Sequence, residues 1–438
     1  MRATKVFAVA LLPFLGSLQI QKTTLPNGLK LLVVEDHSSP TFAYQTWFKV
    51  GSRDEVPKFT GLAHLFEHLM FKATKNHPEG DLDRILGEAG VEDKNAFTTN
   101  DHTAYHESMP KNGLELVMSI ESDRMVNLVV DDKTFKTERE VVQNERRYRD
   151  ENNPVGIMYR NLFELSFKKS TYRWPVIGYE EDLNRMKASD AAAFYKAHYR
   201  PSNATVVVVG DVDGAEVLKL ANKYYGPISN EGAVAPAKAI PEPAPLEVRR
   251  KRLTLGLQAE KVMVAFRAPP GDSPDVPALN VLEAILTDGN ASRLRMALVE
   301  KGVATSIGSG SFDMRDPSVF LFFADLQKGK SSKAAEEAIL KELQRLGTER
   351  VGDAELERAK NLVRFDFYSG LQGNDSKAEF IARYETDFGS YKLGLDHMDA
   401  VAQVTPDDLL RVAKAYFNPS SRMVITGVPK SEKGSAKK

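Results

Sequence analysis

The sequence predicts an α+β protein made of two similarly folded halves. Three observations carry this. First, one block occurs twice: Phe194–Val209 reads FYKAHYRPSNATVVVV and Val412–Thr426 reads VAKAYFNPSSRMVIT. Pro201 and Pro419, Lys196 and Lys414, and Ser202 and Ser420 all stand 218 positions apart, and Phe48-Lys49 keeps the same offset from Phe266-Arg267. A fixed offset of about half the chain marks a duplication. Second, residues 230–245 are rich in Ala and Pro and read as a semi-extended linker. Third, β-rich runs and runs of helical period follow one another through the first half, and the second half has the helix ALNVLEAIL where the first has its motif helix. The expected divisions are 18–229 and 246–429, joined by 230–245 and followed by a charged tail at 430–438.

The 438 residues suit two domains, and 42% hydrophobic with 27% charged residues is an ordinary globular composition. The net charge of -1 gives no global field for nucleic acid. Cysteine is absent, so disulfides, thiolate nucleophiles and Cys-held zinc are excluded. Any metal would have to be held by carboxylates and the eight histidines.

The chain opens with Arg2 and Lys5, followed by a short apolar run, VFAVALLPFLGSL. That pattern is a leader of about residues 1–17, too short to span a bilayer, and it points to a secreted or periplasmic protein. No later stretch is long and apolar enough for an integral membrane segment.

Asn27-Gly28 then marks a turn, and Leu31–Glu35 and Phe42–Val50 read as a pair of strands. Gly61–Thr74, GLAHLFEHLMFKAT, reads as an amphipathic helix with apolar Leu62, Leu65, Phe66, Leu69 and Met70. Asp81–Ala89 is a second helix, and Asn95–His106 reads as strand, turn, strand. His102 and His106 would lie about 13 Å apart on such a strand, too far to share a metal. Gly113–Asn127, Asp132–Arg149 and Leu183–Tyr199 read as helices, and Ala204–Gly210 as a buried strand.

The chemistry lies in the helix at Gly61. His64, Glu67 and His68 form H-x-x-E-H, and on a helix they share one face. Two imidazoles one turn apart can hold a divalent metal, and the Glu beside them can reach a water on it. The pair needs a third ligand, and Glu145 stands 77 positions after His68 on a helix. Glu138 lies two turns before it on the same face and could orient His64 or His68 through a ring N–H. With Zn²⁺ on His64, His68 and Glu145, Glu67 becomes the general base for peptide-bond hydrolysis by water. The duplication offers an internal comparison: adding 218 to the motif positions gives Leu282, Ile285 and Leu286, apolar throughout.

GLAHLFEHLMFKAT, NAFTTNDHTAY at Asn95–Tyr105 and FKTEREVVQNE ending at Glu145 together resemble the pitrilysin/insulinase family of zinc peptidases. The resemblance is to the branch containing the mitochondrial processing peptidase β-subunit and its bacterial relatives. It implies two homologous α/β sandwich domains that form half of a clamshell peptidase chamber. It also implies that Asn95, Ala96 and Phe97 are an edge strand that pairs with substrate backbone. Many relatives carry an assisting Arg and Tyr in the second domain, where this chain has Val299 and Thr305. The expected partner is therefore a homologous subunit supplying that pair, giving a heterodimer, otherwise a homodimer. The rival reading is a non-catalytic structural subunit of a larger complex.

Overall fold

The computed structural model describes residues 19–235, 237–243 and 245–430. The leader and all of the charged tail but its first residue, Lys430, fall outside them. Among the described residues no helix is long and apolar enough to cross a membrane.

Two mixed sheets form the frame. The first contains β1 (Ile20–Thr24), β2 (Lys30–Glu35), β3 (Thr41–Phe48), β4 (Asp93–Thr98), β5 (Thr103–Pro110) and β6 (Ala204–Gly210), in the order β1-β2-β6-β3-β5-β4. The second contains β7 (Arg249–Leu255), β8 (Lys261–Arg267), β9 (Ala304–Ser311), β10 (Val319–Leu326) and β11 (Met423–Pro429), in the order β7-β11-β8-β10-β9. Without β1, the two orders superimpose strand for strand. In each, the last strand inserts between the first two and runs parallel to one and antiparallel to the other. The duplication seen in the sequence is thus a duplication of topology.

This corrects one expectation: β2 and β3 do not pair with each other. The apolar run Ala204–Gly210 is buried along its whole length, and such a strand takes a central place with both faces covered. It separates β2 from β3. The Asn27-Gly28 turn instead joins β2 to β1, a strand whose mixed sequence IQKTT carries no apolar alternation.

Alternate side chains of the first sheet enter two cores. Leu31, Val33, Tyr44, Phe48, Val206 and Val208 face the helix at Leu62–Leu69 through Leu65, Phe66 and Leu69. Leu32, Val34, Ala43, Trp47, Val207 and Val209 face the helix at Asn374–Phe388, from the second half, through Ala378, Ile381 and Ala382. The second sheet mirrors this. One face packs on the Val276–Leu286 helix, and the other packs on Met158 and Leu162 of the Pro154–Ser166 helix, from the first half. Each half therefore lends one helix to the other's sheet.

Two helices differ from their sequence outlines. Leu183–Tyr199 is broken between Glu180–Arg185 and Ala188–His198, where the Lys187 N–H donates to Asp190 and starts a new helix. The charged helix is α-helical over Asp132–Arg146 and widens into a π turn over Arg147–Glu151.

Candidate active site

The motif helix starts at a crowded crossing. Gly61 and Gly178 both have positive φ, 91° and 80°. A Cβ on Gly61 would lie 2.5 Å from the Ile177 carbonyl oxygen, and one on Gly178 would lie 2.2 Å from that of Thr60. Only glycine permits both the conformation and the approach. The buried Glu55 carboxylate accepts from the N–H groups of Gly61 and Ala63, satisfying two of the free donors at the start of the helix. Thr60 donates to Asp182, and Tyr179 N–H donates to Thr60. These contacts fix the rotation of the helix and so the direction of its polar side chains.

Apolar side chains of that helix enter the core, and His64, Glu67 and His68 emerge on the opposite face. The Asp132–Arg146 helix packs across it and brings Glu145 to the two rings. Glu145 lies 3.8 Å from His64 Nε2 through Oε1, and 3.3 Å from His68 Nε2 through Oε2. Donor atoms of the three residues all lie within 4.8 Å of one another. Zinc bonds of about 2.0–2.2 Å hold tetrahedral ligand atoms roughly 3.4 Å apart, so the donor set fits a zinc ion in spacing and in chemistry.

Glu138 faces one ring only: its Oε2 is 3.6 Å from His68 Nδ1, and its Oε1 pairs with Lys72 at 2.8 Å. His64 Nδ1 is buried with no hydrogen-bond partner. The two histidines consequently titrate apart. Burial, and then the neighbouring His68, push His64 down to about 4. His68 resists its own desolvation and is pushed up to about 9 by the carboxylates of Glu138 and Glu145. Glu67 is buried beside them, which raises its carboxyl, and it accepts from the Thr98 hydroxyl at 2.5 Å.

These groups line a cavity of about 440 Å³ whose wall also includes Asn95, Ala96 and Phe97. Those three sit on β4, the outermost strand of the first sheet, which pairs with β5 alone. The Ala96 N–H donates to the Asn95 side chain rather than to a strand. The second-half positions aligned with the motif, Leu282, Ile285 and Leu286, are fully buried. Val299 and Thr305 do not line the cavity, and Thr305 donates instead to the Asp325 carbonyl.

A family model described as Insulinase (Peptidase family M16) matches residues 30–179, and one described as Peptidase M16 inactive domain matches residues 185–363. The zinc protease PqqE of Helicobacter pylori is 30% identical over 413 residues, covering 92% of this chain and 92% of that protein. The chain belongs to the M16 insulinase family. The crystal structure of a protease from Helicobacter pylori aligns with a TM-score of 0.87 at 30% identity, over 94% of this chain and 100% of that one. The human cytochrome b-c1 complex subunit 1 is also similar, at 27% identity over 95% of this chain and 87% of that protein. This M16 chain therefore has the family's two-domain fold, and the names of its relatives support a peptidase role.

Four cavity residues, Phe71, Lys72, Thr98 and Arg149, escaped the reading of the sequence. Lys72 follows His68 by four positions, just past the end of the motif helix, and Arg149 follows Glu145 by four, in the π turn that continues its helix. Arg149 pairs with Glu145 at 2.8 Å. That spacing was available in the sequence. Thr98 was not legible in this way, because only strand placement brings it to Glu67.

Proposed function

We propose that this M16 chain is a zinc-dependent endopeptidase, with His64, His68 and Glu145 holding the ion. The observation that carries the reading is the convergence of three suitably spaced donors, a buried carboxylate and an open strand edge on one cavity. When bound, the ion supplies Lewis-acid polarisation of the scissile carbonyl and a lowered pKa for a water in the open coordination position. Glu67 takes a proton from the attacking water and returns it to the departing amine. Glu138 holds the His68 ring in orientation, and Lys72 balances the charge of Glu138. An extended peptide adds to the free edge of β4 at Asn95, Ala96 and Phe97, which gives main-chain recognition with loose sequence demand.

The described cavity has no Arg or Tyr from the second half in its wall. In our reading a homologous partner subunit supplies that pair, and the leader carries the complex out of the cytoplasm. The similarity to a subunit of the human cytochrome b-c1 complex keeps a second reading, a structural subunit without activity. The deciding test is metal content together with peptide hydrolysis by the purified chain, alone and with a candidate partner. One zinc per chain, with activity only on adding the partner, supports the whole proposal. Zinc with full activity in the single chain removes the heterodimer. Neither zinc nor activity under any condition establishes the structural subunit.

A further inference from the structure

Behind β4 the structure assembles a second set of donors. Asp93 on β4, His106 on β5 and Asp375 in the first turn of the Asn374–Phe388 helix place one ligand atom each within 4.8 Å of one another. His106 Nδ1 is 3.6 Å from Asp375 Oδ1, close to the separation of two ligands on one zinc.

The cluster is distinct from the catalytic one. Side chains alternate across a strand. Thr98 on β4 reaches Glu67 on one side. Asn95 pairs across the ladder with His106, and Phe97 packs near the His106 ring at 6.3 Å, on the other. Asp93 belongs to this second face.

Three features argue for a cation here. Two carboxylates converge on one imidazole, and among the described residues no Lys or Arg lies within ion-pair distance of Asp93 or Asp375. His106 Nδ1 is buried and lacks a hydrogen-bond partner. Asp375 is also pre-oriented: Trp47 Nε1 donates to Gln45 Oε1, which turns Gln45 Nε2 toward Asp375 Oδ1 at 2.7 Å. A buried amide fixed in this way is what orients a ligating carboxylate.

We propose that Asp93, His106 and Asp375 form a second divalent-metal site that ties the substrate-binding edge strand to the second half of the chain. The mixed N,O,O donor set suits zinc or another first-row divalent ion. A metal there would brace β4 from behind, where β5 is the only strand paired with it. The metal site itself does not depend on the peptidase reading; only the substrate-binding role given to β4 rests on it.

The test uses the full-length protein and Co²⁺, whose absorption reports ligation, with Zn²⁺ content after gel filtration as the second measurement. The native chain is expected to bind two equivalents, H64A/H68A one, and H64A/H68A/H106Q none. Should the H64A/H68A variants fold poorly, D93N or H106Q in the otherwise native chain should each lower two equivalents to one. Gln45→Leu should weaken the second equivalent about 10- to 100-fold. In H64A/H68A, Zn²⁺ should slow amide exchange in β4. A native chain binding one equivalent that E145Q abolishes and H106Q leaves intact overturns this proposal and keeps the first. One equivalent that H106Q abolishes and E145Q leaves intact does the reverse.

Discussion

Glu67→Gln isolates the general base from everything around it. The side chain is 9% exposed and accepts one hydrogen bond, from Thr98. A glutamine fills the same volume, and its carbonyl oxygen can still accept from Thr98. His64, His68 and Glu145 are untouched, so metal content should stay at the native value. What disappears is the capacity to take and return a proton. Positioned general bases contribute about 10²–10⁴ in rate, or roughly 2.7–5.4 kcal/mol of barrier. Stability should not fall with activity. In the metal-free chain burial holds the folded Glu67 carboxyl above its ordinary value, so the folded state keeps its proton over a window where the unfolded chain has lost it. Stability then declines as pH rises through that window. Glutamine removes this dependence, and the variant should melt no lower than the native chain at neutral pH. The assay is kcat/KM on an unstructured peptide, read beside zinc content and thermal melting. Native activity with one zinc bound would refute the role of Glu67. Loss of zinc together with activity would show that Glu67 holds the site together and is not its base.

Other outcomes follow from the same geometry. Gly178→Ala places a Cβ 2.2 Å from the Thr60 oxygen at a positive φ; it should cost at least about 3 kcal/mol and release zinc, measured by denaturant melts and metal content. Asp36 pairs with Lys377, which foremost holds its carboxyl down at about 2. After discounting for solvent contact the pair contributes about 1 kcal/mol, full above pH 4 and lost as pH falls through about 2, so Asp36→Asn should flatten acid melting over that range. Methylating one backbone amide of a peptide at the position that faces β4 should lower kcat/KM about fivefold, the worth of one main-chain hydrogen bond, and methylation one residue along should not.

The helix carrying His64, Glu67 and His68 was legible because its period and its chemistry point the same way. Glu145 was legible because a carboxylate on a charged helix was the one donor type the pair lacked. The duplication was legible from Pro201 and Pro419, and it extends to strand order. Strand pairing was not, since the valines at 206–209 announce burial on both faces but name no neighbours. The role of Glu55 was hidden for a similar reason: a carboxylate six residues before Gly61 caps the helix only because the chain turns back between them. His106 and Asp375 are 269 positions apart, and nothing in either segment announces the other.

The helix exchange shows why the second half matters to a site it does not line. β6 is apolar on both faces, so a stable first sheet needs two covers. The motif helix is one. The other, Asn374–Phe388, arrives from beyond the linker and buries Trp47, Val207 and Val209. Lys22 and Lys30 reach its buried Glu385, and His102 reaches its Asp387 at 3.0 Å. Any shift of this helix is therefore felt by β3, and through β5 by β4, the strand that borders His64 and Glu67. Lending the Pro154–Ser166 helix in return makes the dependence mutual, because that helix follows the π turn just after Glu145. The second half is thus coupled to the cavity wall by two routes, one through the sheet to β4 and one through the Glu145 helix to the candidate ligands.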